Sequence, residues 1–139
     1  MPEPLELVGV FEEAGAIFVD DDFLFGSRLL RQHCPSTGSP LDRLADRYLT
    51  SEPFPGYLYE GPARRDFVSG LVRDSKAEGI VFWDLKFCEP YNFDFPDLNR
   101  HFEATGVPTF HIETDLQMSG IGQLRTRVQA FLEQFTLER

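Results

Sequence analysis

Apolar positions recur at helical spacing in the last part of the chain. Ile121, Leu124, Val128, Phe131, Leu132 and Phe135 make one stripe, and Ser119 stands where it would cap that helix. Residues 62–77 repeat the pattern, with Phe67, Val68, Leu71 and Val72 facing inward. Ser39-Pro40-Leu41-Asp42 starts another helix, whose expected buried face is Leu41, Leu44, Ala45, Tyr48 and Leu49. A shorter rhythm marks the strands. Ile80-Val81-Phe82-Trp83 is a compact apolar run after Gly79, as a buried parallel strand requires, and residues 107–112 form the next. Between them Asp94-Phe95-Pro96-Asp97 opens a helix with Leu98 and Phe102 on one face, which Gly106 ends. Residues 4–14 read as a helix stopped by Gly15, and residues 16–19 as a strand. Residues 52–61, with two prolines and two glycines, are a loop, and residues 28–33 fit neither pattern.

Strands alternating with amphipathic helices imply an α/β domain, a small parallel sheet with helices on both faces. The chain opens on a helix that leads into a strand, with no strand ahead of it to complete a βαβ unit. A small sheet would explain that order, and so would a first strand, with a whole domain before it, lying outside the chain. At 139 residues the length suits one domain with one core, and 14 phenylalanines supply ample apolar area to bury.

Thirteen basic residues against 23 acidic ones leave a net charge of −10, which argues against nucleic acid or an anionic membrane as partner. No apolar run reaches the roughly 18–20 residues needed to cross a bilayer, and residues 1–20 show no signal-peptide pattern. Two cysteines, Cys34 and Cys88, are too few for a disulfide framework and too few to hold a metal centre by themselves. A cytoplasmic protein with reduced thiols is expected.

Ligands of open α/β sheets bind beyond the carboxyl ends of the strands. Asp20-Asp21-Asp22, the segment from Asp84 to Tyr91, and Glu113-Thr114-Asp115 all fall there. Cys88 follows its strand closely and precedes a proline by two residues, a place that suits a metal or cluster ligand held at a defined angle. A small buried hydrophobe is the competing reading. The aspartates with Asp84 would also suit Mg²⁺, as in a receiver domain. Ser119-Gly120-Ile121-Gly122 offers free N–H groups at a helix start, a possible anion site. Arg125 and Arg127 lie in the first turns of that helix, against its dipole, and so invite a substrate or interface role, though a salt bridge to the aspartate-rich loops would explain them as well. His33, His101 and His111 show no zinc or triad spacing and read as packing residues.

Taken together, Gly79-Ile80-Val81-Phe82, Lys86-Phe87-Cys88-Glu89-Pro90-Tyr91, Gly106-Val107-Pro108 and Glu113-Thr114-Asp115 resemble a known family. It is the family of 2-hydroxyacyl-CoA dehydratase D-components and benzoyl-CoA reductase subunits, and the likeness is to their C-terminal domain. Residues 122–131 resemble the family's closing helix. Asp21-Asp22, Gly26-Ser27-Arg28 and residues 44–49 resemble two earlier landmarks in the same order. The resemblance implies flavodoxin-like domains in a three-layer α/β arrangement, with one [4Fe–4S] cluster held by three cysteines. Cys88 matches the one ligand contributed by the C-terminal domain. The other two belong to an N-terminal domain that has no counterpart here, and Cys34 falls in the wrong place to replace them. The same resemblance implies an ATP-dependent activator protein that delivers an electron, an acyl-CoA substrate, and dehydration through a ketyl radical or reduction of an aromatic ring. Arg28, Glu113, Ser119, Arg125 and Arg127 are the candidates for substrate or interface contact. One thiolate cannot hold four irons, so the chain alone should bind no cluster and show no activity. A freestanding, cluster-free scaffold or subunit-binding protein of the same fold is the alternative.

Overall fold

The computed structural model describes residues 5–23, 26–49, 62–114 and 121–137. Among these, six helices and two strands follow in the order α1 (Leu5–Glu13), α2 (Ser27–Arg31), α3 (Pro40–Leu49), α4 (Pro62–Ser75), β1 (Ile80–Leu85), α5 (Glu89–Thr105), β2 (Thr109–Thr114) and α6 (Ile121–Leu137). β1 and β2 pair in parallel, in register from Ile80 opposite Thr109 to Leu85 opposite Thr114. Side chains alternate across that sheet and separate the apolar residues into two cores. Val81, Trp83, Phe110 and Ile112 face Leu7, Val10 and Phe11 of α1 and Leu124 and Val128 of α6. Ile80 and Phe82 face Val68 of α4 and Leu98 and Phe102 of α5. The arrangement is the expected three-layer α/β domain with a small parallel sheet.

Local chemistry explains where the elements stop. Gly106 adopts φ +77° and its N–H reaches back to α5, which ends the helix where the sequence indicates. Gly79 lets β1 start against α6, because a Cβ there would lie 2.7 Å from the Phe135 ring.

Three expectations are corrected. Residues 16–19 form no strand; they run irregularly, with Ile17, Phe18 and Val19 exposed, although Ala16 still packs on the first core. An apolar run specifies a strand only when a neighbouring strand takes its hydrogen bonds, and none of the described residues does so. Second, α5 begins at Glu89, five residues ahead of Asp94. Pro90 stands near the first helical position and starts it, while Pro96 lies inside the helix, leaving the Asn92 carbonyl without its i+4 donor. Third, α3 is turned inside out: Leu41, Leu44, Tyr48 and Leu49 are exposed, Leu49 at 83%. Two arginines cause this. Arg43 Nε donates to the Pro35 carbonyl at 2.6 Å and Arg47 Nη2 to the Leu29 carbonyl at 2.8 Å, so the polar face is the one anchored to the chain. The helix that should be capped by Ser119 is present, but Ser119 itself and the loop at 52–61 lie outside the described residues.

Candidate functional site

The carboxyl end of β1 turns through Lys86 and Phe87 into α5, and Cys88 is the residue that caps α5. The Cys88 N–H donates to the Leu85 carbonyl at 2.9 Å, and the Cys88 carbonyl receives the Asn92 N–H at 3.1 Å. Phe87 has φ +68°, a left-handed conformation that a bulky residue adopts only under constraint, and its ring is 93% exposed. The Cys88 side chain makes no capping hydrogen bond, and the thiol is half-buried and free. Its backbone is fixed on both sides, while its sulfur makes no capping bond or disulfide among the described residues.

Behind this turn lies a buried ionic cluster. Asp22 Oδ2 accepts from Arg28 Nη2 at 2.6 Å and forms an ion pair with Arg64 Nη1 at 2.7 Å. Arg64 Nε reaches Asp94 Oδ2 at 2.8 Å. Arg28 and Arg64 are 1% and 3% exposed, Asp94 5%, and the Phe67 ring packs beneath both guanidinium groups. Two positive and two negative charges balance, so burial is tolerable. Burial pushes the Asp94 carboxyl up, and the attraction of Arg64 opposes that rise only in part. Burial disfavours the charged form of Arg64 too, but its two carboxylates outweigh that and raise it. Tyr91, one turn into α5, lies within electrostatic reach of Arg28, Asp22, Arg64 and Cys88, and burial raises its phenol.

Asp20 and Asp21, which precede α2, also have protein partners. Asp21 accepts the Phe23 and Ser27 amides at 3.0 Å each and the Ser27 hydroxyl at 2.5 Å, and Arg31 pairs with Asp20. Gly26 is required here, because a Cβ would collide with the Asp21 carboxylate. Burial tends to raise Asp21, but these hydrogen bonds, Ser27 first, and the nearby Arg31 leave it below the usual carboxylate range. A group depressed on folding stabilises the fold above its unfolded value of 3.8, and that contribution is lost as pH falls through the folded value. Asp21→Ala is therefore expected to cost about 1–2 kcal/mol at pH 7. The gap to wild type should close below pH 3.8 when urea unfolding is followed across pH; a gap independent of pH would refute the capping role.

Asp84, 3% exposed on β1, accepts from or donates to His111 Nε2 at 2.8 Å, and the His111 ring stacks on Phe95 at 3.9 Å. Burial raises the Asp84 carboxyl, and His111 offsets part of that rise. Sequence reading missed this pair, since 27 residues separate its members and only the β1–β2 register brings them together. The four-residue ionic cluster was missed as well, although Arg28 and the aspartate run were each noted.

The remaining candidates scatter. Glu113 is exposed on β2 and touches the site only through its charge near Asp84. Arg125 makes a surface ion pair with Glu13 of α1 at 2.8 Å, and Arg127 donates to the His111 carbonyl at 2.7 Å while its guanidinium lies over the Phe110 ring. Arg28 serves the buried cluster and does not reach solvent. Among the described residues no three His, Cys, Asp or Glu side chains converge on a metal-binding position, and no helix is long and apolar enough to cross a membrane.

Comparison with known proteins agrees with the motifs. The family model described as 2-hydroxyglutaryl-CoA dehydratase, D-component, matches residues 1–135. The chain is 36% identical over 129 residues to the (R)-phenyllactyl-CoA dehydratase beta subunit of Clostridium sporogenes, which covers 92% of this chain and 34% of that protein. It is 33% identical over 139 residues to the lactoyl-CoA dehydratase beta subunit of Anaerotignum propionicum, covering 94% of this chain and 35% of that protein. One of the benzoyl-CoA reductase subunits of Thauera aromatica is 28% identical over 107 residues, covering 76% of this chain and 28% of that protein. The chain spans about a third of the length of the first two relatives. By the family match and by these identities, the chain belongs to the 2-hydroxyglutaryl-CoA dehydratase D-component family.

Proposed function

We propose that this chain is the C-terminal α/β domain of an acyl-CoA dehydratase or reductase subunit, and that Cys88 supplies one of three thiolates to a [4Fe–4S] cluster. A companion domain or second subunit supplies the others, an ATP-dependent activator provides electrons, and an acyl-CoA is the substrate. The observation that carries the reading is the state of Cys88: its backbone is pinned at the start of α5, and its sulfur has no capping bond to give up. The donor set fits one ligand position, at the start of a 17-residue helix. It does not fit a whole site, because one thiolate leaves most of a four-iron cluster unligated.

When bound, the cluster would pass single electrons toward the acyl-CoA thioester. This chain's share would be binding and enclosure: Cys88 would hold the cluster, and the exposed Phe87 ring next to it offers apolar surface that excludes water once covered. The exposed apolar segment at Ile17, Phe18 and Val19, which pairs with no strand among the described residues, supports a companion that adds a strand. The products, dehydrated or ring-reduced, would be set by that companion and by the substrate it admits.

The test is iron content. In the anaerobically assembled enzyme that includes residues 1–139, wild type and Cys34→Ser should retain the cluster, and Cys88→Ser should lose it. Wild-type iron in Cys88→Ser would overturn the ligand assignment. A second reading, a cluster-free subunit-binding protein of the same fold, draws on the outward apolar face of α3. It would take over if the wild-type assembly formed a stable complex without iron.

A further inference from the structure

We infer that the Asp22–Arg28–Arg64–Asp94 cluster is a positioning device that orients the first turns of α5, and through them the Cys88 sulfur. The inference rests on the reading of Cys88 as a cluster ligand.

The need for such a device follows from α5 itself. Pro96 removes the N–H that would bond the Asn92 carbonyl, so the segment from Glu89 to Phe95 is joined to the rest of the helix with one rung missing. A helix that lacks a rung there bends more readily, so a second tie is needed to hold its start in one direction. Cys88, Tyr91 and Asp94 lie three residues apart in succession, on one side of this weakly joined segment. Asp94 is the member tied to the body of the protein, through Arg64 of α4, and Arg64 is tied in turn to Asp22 and so to Arg28 of α2. Tyr91 sits between that anchor and Cys88, within reach of both. The ion pair therefore does what helix continuity cannot.

Energetics points the same way. Asp22 Oδ1 and Asp94 Oδ1 are buried with no hydrogen-bond partner among the described residues, so the cluster is only partly satisfied. A partly satisfied buried ionic cluster stabilises a fold no better than apolar side chains of similar volume would. What apolar side chains cannot supply is direction: a guanidinium forked between two carboxylates fixes angles as well as distances.

The experiment separates position from stability. The double variant Arg64→Met with Asp94→Leu removes one charge of each sign and leaves the Arg28–Asp22 pair neutral. Amide hydrogen exchange in the intact 139-residue chain reads the ligand turn directly, through the Cys88 and Asn92 N–H groups. The expected result is exchange at least tenfold faster at those two amides, with the Val128 amide in the opposite core unchanged. Wild-type protection at Cys88 and Asn92 would overturn the inference, as would equal acceleration at every amide. If the double variant fails to fold, Asp94→Asn decides, since it weakens only the contact to α5 and should give the same local pattern. In the assembled enzyme, the double variant should keep its iron but change the electron paramagnetic resonance signature of the reduced cluster. An unchanged signature would overturn the inference while leaving Cys88 a ligand. Iron retained in Cys88→Ser would remove the ligand reading and leave the exchange result standing.

Discussion

Arg28→Met is expected to destabilise the chain by about 3–5 kcal/mol, seen as a lower urea midpoint with little change in slope. Arg28 is 1% exposed, and its Nη2 meets Asp22 Oδ2 at 2.6 Å. Without it, two carboxylates share the single guanidinium of Arg64, and the cluster holds an uncompensated negative charge out of water. The loss is large beside the roughly 5–15 kcal/mol that separates folded from unfolded domains. The double variant Arg28→Met with Asp22→Leu keeps charge balanced between Arg64 and Asp94 and should recover most of the loss. Failure to recover would mean that Arg28 stabilises the fold through packing on Phe67 rather than through its charge.

Phe102→Ala is expected to cost about 3–5 kcal/mol. Phe102 is 2% exposed and fills the space between α4, α5 and the Ile80 and Phe82 side of the sheet, with Val68, Leu98 and Val107 around it. A sheet of two strands leaves little else to close a cavity of that size. Leu41→Ala is the matched control: the side chain is apolar but 76% exposed, so the change should stay within about 0.5 kcal/mol. Thermal or urea unfolding of the pair checks both. A large loss at Leu41 would show that the α3 face is covered in solution.

These contrasts mark how far the amino-acid pattern can be read. The stripe of α6 named Leu124, Val128 and Phe131 correctly as buried, because they meet a core made by the same chain, and the apolar run of β1 packs half-buried against both cores. The α3 stripe is as regular, yet it points outward. Periodicity shows that a helix has an apolar face, and it does not say what that face will meet. Residues 16–19 failed for a related reason, since a strand is defined by its neighbour as much as by its own side chains. At the candidate site, the sequence located Cys88 just after β1, and the structure puts it at the start of α5. The arginines behind it were not located, because arginine is ordinarily read as surface, and nothing local reveals that Arg28, Arg64, Asp22 and Asp94 converge from four segments. The Asp84–His111 contact needed the strand register before it could be seen.

Arg127 lies across the outer side of β2. Since the Pro108 and Thr114 carbonyls point toward β1, alternation turns the His111 carbonyl the other way, and that is the oxygen Arg127 occupies. A strand from another molecule could not zip onto β2 without first prising this side chain from both the carbonyl and the Phe110 ring. The sheet is thus plugged on one flank, which denies identical copies an edge on which to polymerise and leaves any lengthening of the sheet to the side of β1.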